Sequence, residues 1–393
     1  MLKKFFSLSK RFISETDTVL TALIAAASIF GVIMVYSTTR YSLEDGEKFS
    51  RDALVMAIAA VLGLVVMIII SAIDYEMIMK LWPIIGLFCV ALMILTLTIG
   101  VAPDARPDAK CWLKFGGTYF QSSELVKIGF VITYSMHLEL LKDKINKPLS
   151  ILLLGVHALV PTALVIKTGD MGSALVFMLM AVGMLYFAGL HWGFFAGGAV
   201  LAIAASPLLW MFMLSKYQKD RFLALIKPDE FPDEAYQQLM GKNALGSGGF
   251  FGQGLFKGAY TQAGLVPEAK NDMIFTAIGE ETGFFGCFVA LLLLLFIVLK
   301  IIKTGKEARD FSAQLACYGI AVMIASQVLI NVGMCLMILP VIGITLPFFS
   351  AGGSSTLCLY IGIGLVFSIY RYNRAREAVN FRLSRISTPF SEF

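Results

Sequence analysis

Apolar runs of about 20 residues, separated by short polar segments, recur along this chain. A helix of that length can cross the hydrocarbon core of a bilayer. The pattern predicts an all-α polytopic membrane protein, a single domain over 1–393 with about ten transmembrane helices. One long loop, 214–275, separates the seventh helix from the eighth. The predicted spans are 18–38, 53–73, 80–100, 122–140, 149–167, 171–189, 193–213, 276–302, 312–338 and 354–371.

The distribution of lysine and arginine predicts the orientation, because short cytoplasmic loops are enriched in both. With the N-terminal tail, 1–17, in the cytoplasm, most basic residues outside the long loop also lie on the cytoplasmic side. An even number of spans then places the C-terminal tail, 372–393, in the cytoplasm and the long loop outside. The net charge of +5 therefore reflects topology and contact with anionic membrane lipids, and nothing indicates a nucleic-acid partner.

The sequence gives no indication of a disulfide framework, a metal site or a nucleotide-binding loop. Five of the six cysteines fall inside predicted spans, so no disulfide framework is expected. His137, His157 and His191 show no metal-ligand spacing. The glycine-rich stretch 241–258 lacks the Gly-Lys-Ser/Thr of a phosphate-binding loop, so it is not a nucleotide-binding loop, and we expect no nucleotide cofactor. We expect this stretch to be flexible backbone at the membrane surface, with Phe250 and Phe251 near the lipid headgroups.

The segment before the fourth span carries Trp112 and then Glu124 and Lys127. Glu124 and Lys127 are spaced i, i+3 and can pair on one helix face. One interpretation is structural: Ser123 caps the helix, the pair is local, and Trp112 is an interfacial aromatic residue. The functional alternative is that Glu124 and Lys127 line a polar cavity, while Trp112 packs on the apolar or sugar part of a ligand.

A short break between the fifth and sixth spans contains Asp170, followed three residues later by Ser173. A carboxylate at this spacing typically caps the next helix. The alternative is a role for Asp170 in organising an outward-facing cavity.

A polar island closes the long loop, from Pro267 to Glu281. In one interpretation, Asn271 or Asp272 caps the eighth helix. In the other, Asp272, Thr276 and Glu280 lie at i, i+4 and i+8 and form a polar stripe that must face protein or water rather than lipid. A carboxylate at the head of such a stripe is a candidate general base.

A broken, Gly/Pro-rich segment, 343–355, follows two amides inside the ninth span, Gln327 and Asn331. Irregular backbone beside intramembrane amides is typical of a substrate cavity. Helix packing by small residues is the alternative explanation for Ser354 and Ser355.

Taken together, these motifs resemble the SEDS family of bacterial envelope proteins (shape, elongation, division and sporulation), which includes RodA, FtsW and SpoVE. The resemblance covers nearly the whole chain and is carried by the order of the segments 112–127, 170–173, 246–254, 267–283 and 346–355. Residues 252–258 and Arg221 with Pro228-Asp229 resemble the RodA type most. Cys111, Ser122, Lys167–Gly169, Asn271 and Ala351 stand where the family usually has Arg, Pro, a Gln/Glu-Pro pair, Thr and Tyr.

The resemblance implies a peptidoglycan glycosyltransferase of the bacterial cytoplasmic membrane that polymerises lipid II into glycan strands during cell elongation. It implies Asp272 as the catalytic base and a cavity lined by the other residues named above. Lys127, Arg221 or a divalent cation such as Mg or Mn would stabilise the leaving pyrophosphate. The implied partners are a class B penicillin-binding protein, which is a transpeptidase, and the elongation machinery. A division or sporulation paralogue, a lipid II flippase and a non-enzymatic scaffold are the alternatives.

Overall fold

The computed structural model describes residues 16–43, 48–102, 109–116, 118–212 and 214–387. Most of the predicted N-terminal tail and the last six residues of the predicted C-terminal tail lie outside these ranges. The helices are α1 (Thr18–Thr39), α2 (Arg51–Ala72), α3 (Tyr75–Lys80), α4 (Trp82–Ile99), α5 (Ser122–Leu140), α6 (Pro148–Lys167), α7 (Met171–Phe187), α8 (Trp192–Phe212), α9 (Lys216–Ile226), α10 (Pro232–Ser247), α11 (Ala259–Gln262), α12 (Ile274–Glu307), α13 (Phe311–Cys335) and α14 (Gly353–Ser387).

Each of the ten predicted spans coincides with one of these helices, which confirms the all-α polytopic fold. Eight helices within the described ranges are long and apolar enough to cross a membrane. Of the other two, α7 is apolar but shorter. Helix α5 is less apolar because it carries polar residues, yet most of its side chains are buried. A polar helix can lie inside a bundle only where protein, rather than lipid, surrounds it.

Burial separates central helices from peripheral ones. In their most apolar stretches, 67% of α13 and 72% of α14 is buried, against 17% of α4 and none of α8. Helix α14 packs along α2, and α12 packs on α13 and α1. The core of the bundle therefore lies around α13 and α14, while α4 and α8 present apolar surface to lipid.

Two features differ from the sequence-based prediction. The long loop contains three helices, α9 to α11, and α9 begins with a capping box made by Ser215 and Gln218. Ahead of α5 the chain forms a short antiparallel hairpin of β1 (Trp112–Phe115) and β2 (Thr118–Gln121), in which Trp112 pairs with Gln121. The prediction of helices used apolar runs of about 20 residues. The hairpin and the loop helices lack such runs, because they lie outside the membrane-spanning bundle.

Helix α12 breaks at Gly283, where φ is 69° and ψ is −168°. The glycine-rich stretch satisfies the backbone groups that the break frees. The N–H of Phe284 donates to the carbonyl of Gly249 at 2.9 Å, and the N–H of Gln253 donates to the carbonyl of Glu280 at 2.9 Å. These bonds correct the expectation of flexible backbone, because the stretch is fixed to α12. Its glycines permit a close approach that side chains would prevent.

Candidate functional site

Asp272 lies in the turn immediately before α12. Met273 occupies the N-cap position of α12 and makes no side-chain cap hydrogen bond. The side chain of Asn271 instead donates to Glu268. The interpretation in which Asn271 or Asp272 caps this helix is therefore wrong. Asp272 is 7% exposed, and its Oδ1 accepts a hydrogen bond from Nε2 of Gln237 on α10 at 3.3 Å.

The backbone around Asp272 is held from two directions. The Asn331 amide on α13 donates to the carbonyl of Asp272 at 2.8 Å and to the carbonyl of Ile344 at 2.7 Å. The N–H of Ala351 donates to the carbonyl of Lys270 at 2.8 Å. Asn331 is fully buried, so it positions the turn rather than facing a ligand. The carboxylate of Asp272 thus projects from a rigid support.

Glu124 and Lys127 form the ion pair that their spacing predicts, with 2.7 Å between Lys127 Nζ and Glu124 Oε1. Both side chains are buried, Lys127 completely. Glu124 lies in the first turn of α5, where the helix dipole favours a negative charge. Ser123 does not cap α5, contrary to the structural interpretation, because its hydroxyl donates to Asp170 at 3.0 Å.

A small cavity brings three of the predicted residues together. Glu124, Gln327 and Ser355 line a space of about 10 Å³ beside the 345–350 segment. Such a space is about the size of one water molecule. Gln327 precedes Asn331 by four residues on α13, a rise of about 6 Å. Helix α13 therefore connects the buried Glu124 pair to the Asp272 turn.

Asp170 performs the capping role predicted for it and a second role as well. Its Oδ1 accepts from the N–H of Ser173 at 3.0 Å, which caps α7. Its Oδ2 accepts from Nε2 of Gln121 at 2.8 Å and from the Ser123 hydroxyl at 3.0 Å. The N–H of Gln121 in turn donates to Oγ of Ser354 at 3.3 Å. Asp170 and Ser354 thus join the hairpin to the starts of α5, α7 and α14.

Two predicted residues lie at the edges of this cluster. Trp112 is half-buried at the start of β1. Arg221, on α9, donates from Nη1 to the carbonyl of Val341 at 2.7 Å, and its guanidinium lies 4.4 Å from the centre of the Tyr217 ring. A cavity of about 60 Å³ beside Arg221 reaches Gly169, next to Asp170. Arg221 therefore borders the same end of the bundle.

Glu280 is buried with different partners from those of Asp272. It accepts from the N–H of Tyr260 at 2.6 Å and from the N–H and hydroxyl of Thr261 at 2.9 and 2.6 Å. Thr276 is buried too, so the predicted stripe faces protein and not lipid. Three donors on one carboxylate indicate that Glu280 holds α11 against α12.

The adjacent Glu281 forms a second such anchor. It accepts from the Ser37 hydroxyl of α1 at 2.6 Å, from Nε2 of Gln262 at 3.0 Å and from the N–H of Phe256 at 3.1 Å. Two consecutive buried carboxylates therefore fix the end of the long loop to α12 and α1.

Two residues that contribute to the site, Gln237 and Lys270, were not predicted. Gln237 gave no signal, because α10 was predicted to be loop. Lys270 belongs to the polar island but was assigned no role. Its Nζ lies 2.6 Å from Oδ2 of Asp52 in the first turn of α2, and both side chains are about half exposed. Lys270 thus supplies a positive charge two residues from Asp272.

The described residues contain no group of three or more His, Cys, Asp or Glu side chains arranged to hold a metal ion. His137 and His157, far apart in sequence, do meet between α5 and α6, with 2.9 Å between their Nδ1 atoms. A pair of imidazoles falls short of the ligand sets that structural zinc sites use.

Comparison with known proteins agrees with this architecture. A family model described as "Cell cycle protein", which covers FtsW, RodA and SpoVE, matches residues 17–375. A relative from Geobacter metallireducens, named as a probable peptidoglycan glycosyltransferase FtsW, is 31% identical over 93% of this chain and 97% of its own length. The Escherichia coli K12 peptidoglycan glycosyltransferase MrdB is 27% identical over 91% of this chain and 94% of its own length.

Solved structures show the same fold. A chain from a peptidoglycan synthase complex, in which polymerization and crosslinking are coordinated, aligns with a TM-score of 0.76 and 25% identity, over 91% of this chain and 98% of that one. RodA from Thermus thermophilus aligns with a TM-score of 0.68 and 23% identity, over 91% of this chain and 97% of that one. The chain belongs to the FtsW/RodA/SpoVE family.

Proposed function

We propose that this protein is a peptidoglycan glycosyltransferase that polymerises lipid II at the outer face of the bacterial cytoplasmic membrane. The observation that carries the proposal is the position of Asp272, a carboxylate on a turn held by α13 and by the 339–352 segment. A general base needs this kind of fixed geometry, since its contribution depends on distance to the proton it removes. Relatives named as peptidoglycan glycosyltransferases share nearly the full length of the chain.

In the proposed reaction, the 4-hydroxyl of the acceptor GlcNAc attacks the anomeric carbon of the MurNAc that ends the growing strand. The new glycosidic bond forms as the bond from that carbon to undecaprenyl pyrophosphate breaks. Asp272 accepts the hydroxyl proton, and the pyrophosphate leaves with the electron pair of the broken bond.

The leaving pyrophosphate requires positive charge close by. Lys127 is fully buried against Glu124, and Arg221 already donates to a backbone carbonyl. Lys270 is half-exposed and two residues from Asp272. It is therefore a third candidate, beside Lys127 and Arg221, for stabilising the charge of the leaving pyrophosphate. A divalent cation, Mg or Mn, would supply the remaining charge, held chiefly by the pyrophosphate itself. Loss of product on adding EDTA, with recovery on adding either metal, would support this part of the proposal.

We propose the elongation role rather than the division role, because the sequence of residues 252–258 and Arg221 with Pro228-Asp229 resemble the RodA type. Relatives of both kinds are similar to this chain, so this assignment needs its own test. Expression in cells depleted of the elongation enzyme should restore rod shape. Rescue of septation alone, in cells depleted of the division enzyme, would make the chain a division paralogue.

We also propose a class B penicillin-binding protein as the partner, together with the elongation machinery. The similar peptidoglycan synthase complex, which combines polymerization with crosslinking, supports this partner class. Co-purification of the two membrane proteins from co-expressing cells tests the assignment. Both termini are proposed to be cytoplasmic, in agreement with the distribution of basic residues.

The direct test of the activity is polymerisation of purified lipid II by the reconstituted protein, alone and with its cognate transpeptidase. Glycan chains should be resolved by gel electrophoresis in the wild type and be lost in Asp272→Ala. Movement of labelled lipid II across vesicles without any polymer would favour a flippase. Failure of both activities, with partner binding intact, would favour a scaffold.

A further inference from the structure

A polar cavity lies at the end of the bundle opposite the Asp272 turn. It has a volume of about 380 Å³ and is lined by Asp17, Lys300, Lys303, Thr304, Glu307, Tyr370, Asn373 and Arg374. Asp17 caps the N-terminus of α1, the lysines belong to the last turns of α12, and Asn373 belongs to α14. From the kink in α12 to Lys303 the helix rises about 30 Å, roughly the thickness of a bilayer core. The cavity therefore lies at the level of the lipid headgroups, on the opposite side of the membrane from Asp272.

The cavity carries excess positive charge. Lys300 is neutralised by Asp17, with 2.6 Å between Nζ and Oδ2. The contact between Lys303 and Glu307 is looser, at 3.7 Å, and both side chains are more than half exposed. An exposed pair of this kind contributes little and does not prevent Lys303 from contacting another anion.

Arg374 adds a further positive charge to the lining. Its guanidinium lies over the Tyr370 ring at 5.4 Å from the centroid. Stacking uses the face of the guanidinium and leaves its N–H edge available to an acceptor. With three cations and two carboxylates in the lining, the cavity favours an anionic ligand.

Asn373 provides an independent indication of a ligand. It is only 7% exposed, yet among the residues that the structure describes neither its Nδ2 nor its Oδ1 has a hydrogen-bond partner. A buried amide left unpaired costs free energy, and such groups are rare in folded proteins. An amide presents a donor and an acceptor side by side. The complementary ligand therefore carries an oxyanion and a hydroxyl close together.

We propose that this cavity binds the headgroup of an anionic phospholipid, with a preference for phosphoglycerol. The phosphodiester oxygens meet Lys303, Arg374 and the Asn373 Nδ2, and a glycerol hydroxyl donates to the Asn373 Oδ1. Basic pockets between transmembrane helices at the membrane surface are suited to such headgroups. The space exceeds that of a single phosphate, which favours a headgroup over a free phosphate ion. The proposal does not depend on the catalytic function, because it uses none of the residues of the Asp272 site.

Native mass spectrometry of the purified full-length protein tests the proposal. Detergent-solubilised protein is titrated with dioleoyl phosphatidylglycerol or dioleoyl phosphatidylcholine, and the bound lipids are counted. We expect the phosphoglycerol lipid to bind preferentially. Arg374→Gln should weaken its binding roughly tenfold, the loss expected for one charge-assisted hydrogen bond. Lys306→Gln removes the same charge three residues from Lys303 at an exposed position outside the cavity and should leave binding unchanged.

Asn373→Leu separates a ligand role from a structural one. Because the amide has no partner within the described part of the chain, this change should not lower the melting temperature, but it should weaken phosphatidylglycerol binding. Equal binding of the two lipids, or equal effects of Arg374→Gln and Lys306→Gln, would overturn the proposal. Binding of glycerol 3-phosphate as tightly as the lipid would assign the cavity to a soluble phosphate and overturn the lipid source.

Discussion

Removal of Lys127 tests whether the pair with Glu124 is buried and coupled as the structure shows. Lys127 is fully buried and 2.7 Å from the carboxylate, so Lys127→Met leaves an uncompensated charge inside the bundle. Breaking a buried ion pair in this way lowers the free energy of unfolding by about 3–5 kcal/mol. The neutral double variant, Glu124→Gln with Lys127→Met, should recover most of that loss, because neither charge remains to be desolvated.

Unfolding in mixed micelles with increasing dodecyl sulfate, followed by circular dichroism, measures these differences. Lys227→Met is the matched control: its partner Glu230 has the same i, i+3 spacing and a 2.8 Å contact, but both side chains are more than half exposed. Lys227→Met should lower the free energy of unfolding by less than about 1 kcal/mol. If Lys127→Met is no more destabilised than Lys227→Met, the buried-pair reasoning is wrong.

The same pair has a functional test. Exchange of the two residues, Glu124→Lys with Lys127→Glu, retains an ion pair on one helix face. A purely structural pair predicts substantial activity in the exchanged variant. We expect folded protein with little lipid II turnover, because Glu124 lines the same small cavity as Gln327 and Ser355, and Gln327 lies one turn of α13 before Asn331. Near-normal turnover would reduce the pair to a structural role.

Three further outcomes follow from the geometry. Gly283→Ala places a Cβ 2.3 Å from a backbone nitrogen at a positive φ, so its melting temperature should fall, whereas Gly155→Ala, with open space around it, should not. Asn331→Leu should lower kcat for lipid II polymerisation and leave transpeptidase binding nearly unchanged, since it frees the carbonyl of Asp272; an unchanged kcat would contradict the positioning role of Asn331. A cysteine at Lys242 should react with an impermeant reagent and one at Lys144 should not; the reverse would invert the topology.

The sequence predicts the bundle well because each span is a local property. A run of about 20 apolar residues specifies its own helix whatever its neighbours are. The hairpin at Trp112 and the loop helices escaped prediction for the opposite reason. Strands of four residues and helices without a long apolar run depend on the surface they pack against.

In the candidate site too, contacts between residues close in sequence were predicted and contacts between distant residues were not. The Glu124–Lys127 pair and the Asp170 cap join residues three positions apart, so spacing alone predicts them. The supports of Asp272 join residues 35 and 59 positions apart, through Gln237 and Asn331. A single sequence contains no signal for such pairings. The interpretation of Asn271 or Asp272 as a helix cap failed because tertiary contacts, rather than the helix start, determine the conformation of that turn.

Polymerisation of lipid II by Asp272→Asn is the most direct test of the central claim. The amide preserves the shape of the side chain, so expression, melting temperature and transpeptidase binding should match the wild type. Loss of a general base should lower the rate of glycan formation by about 10²–10⁴. Asp229→Asn, at an exposed position in the long loop, should polymerise normally. Wild-type rates from Asp272→Asn would contradict the assignment of Asp272 as the base.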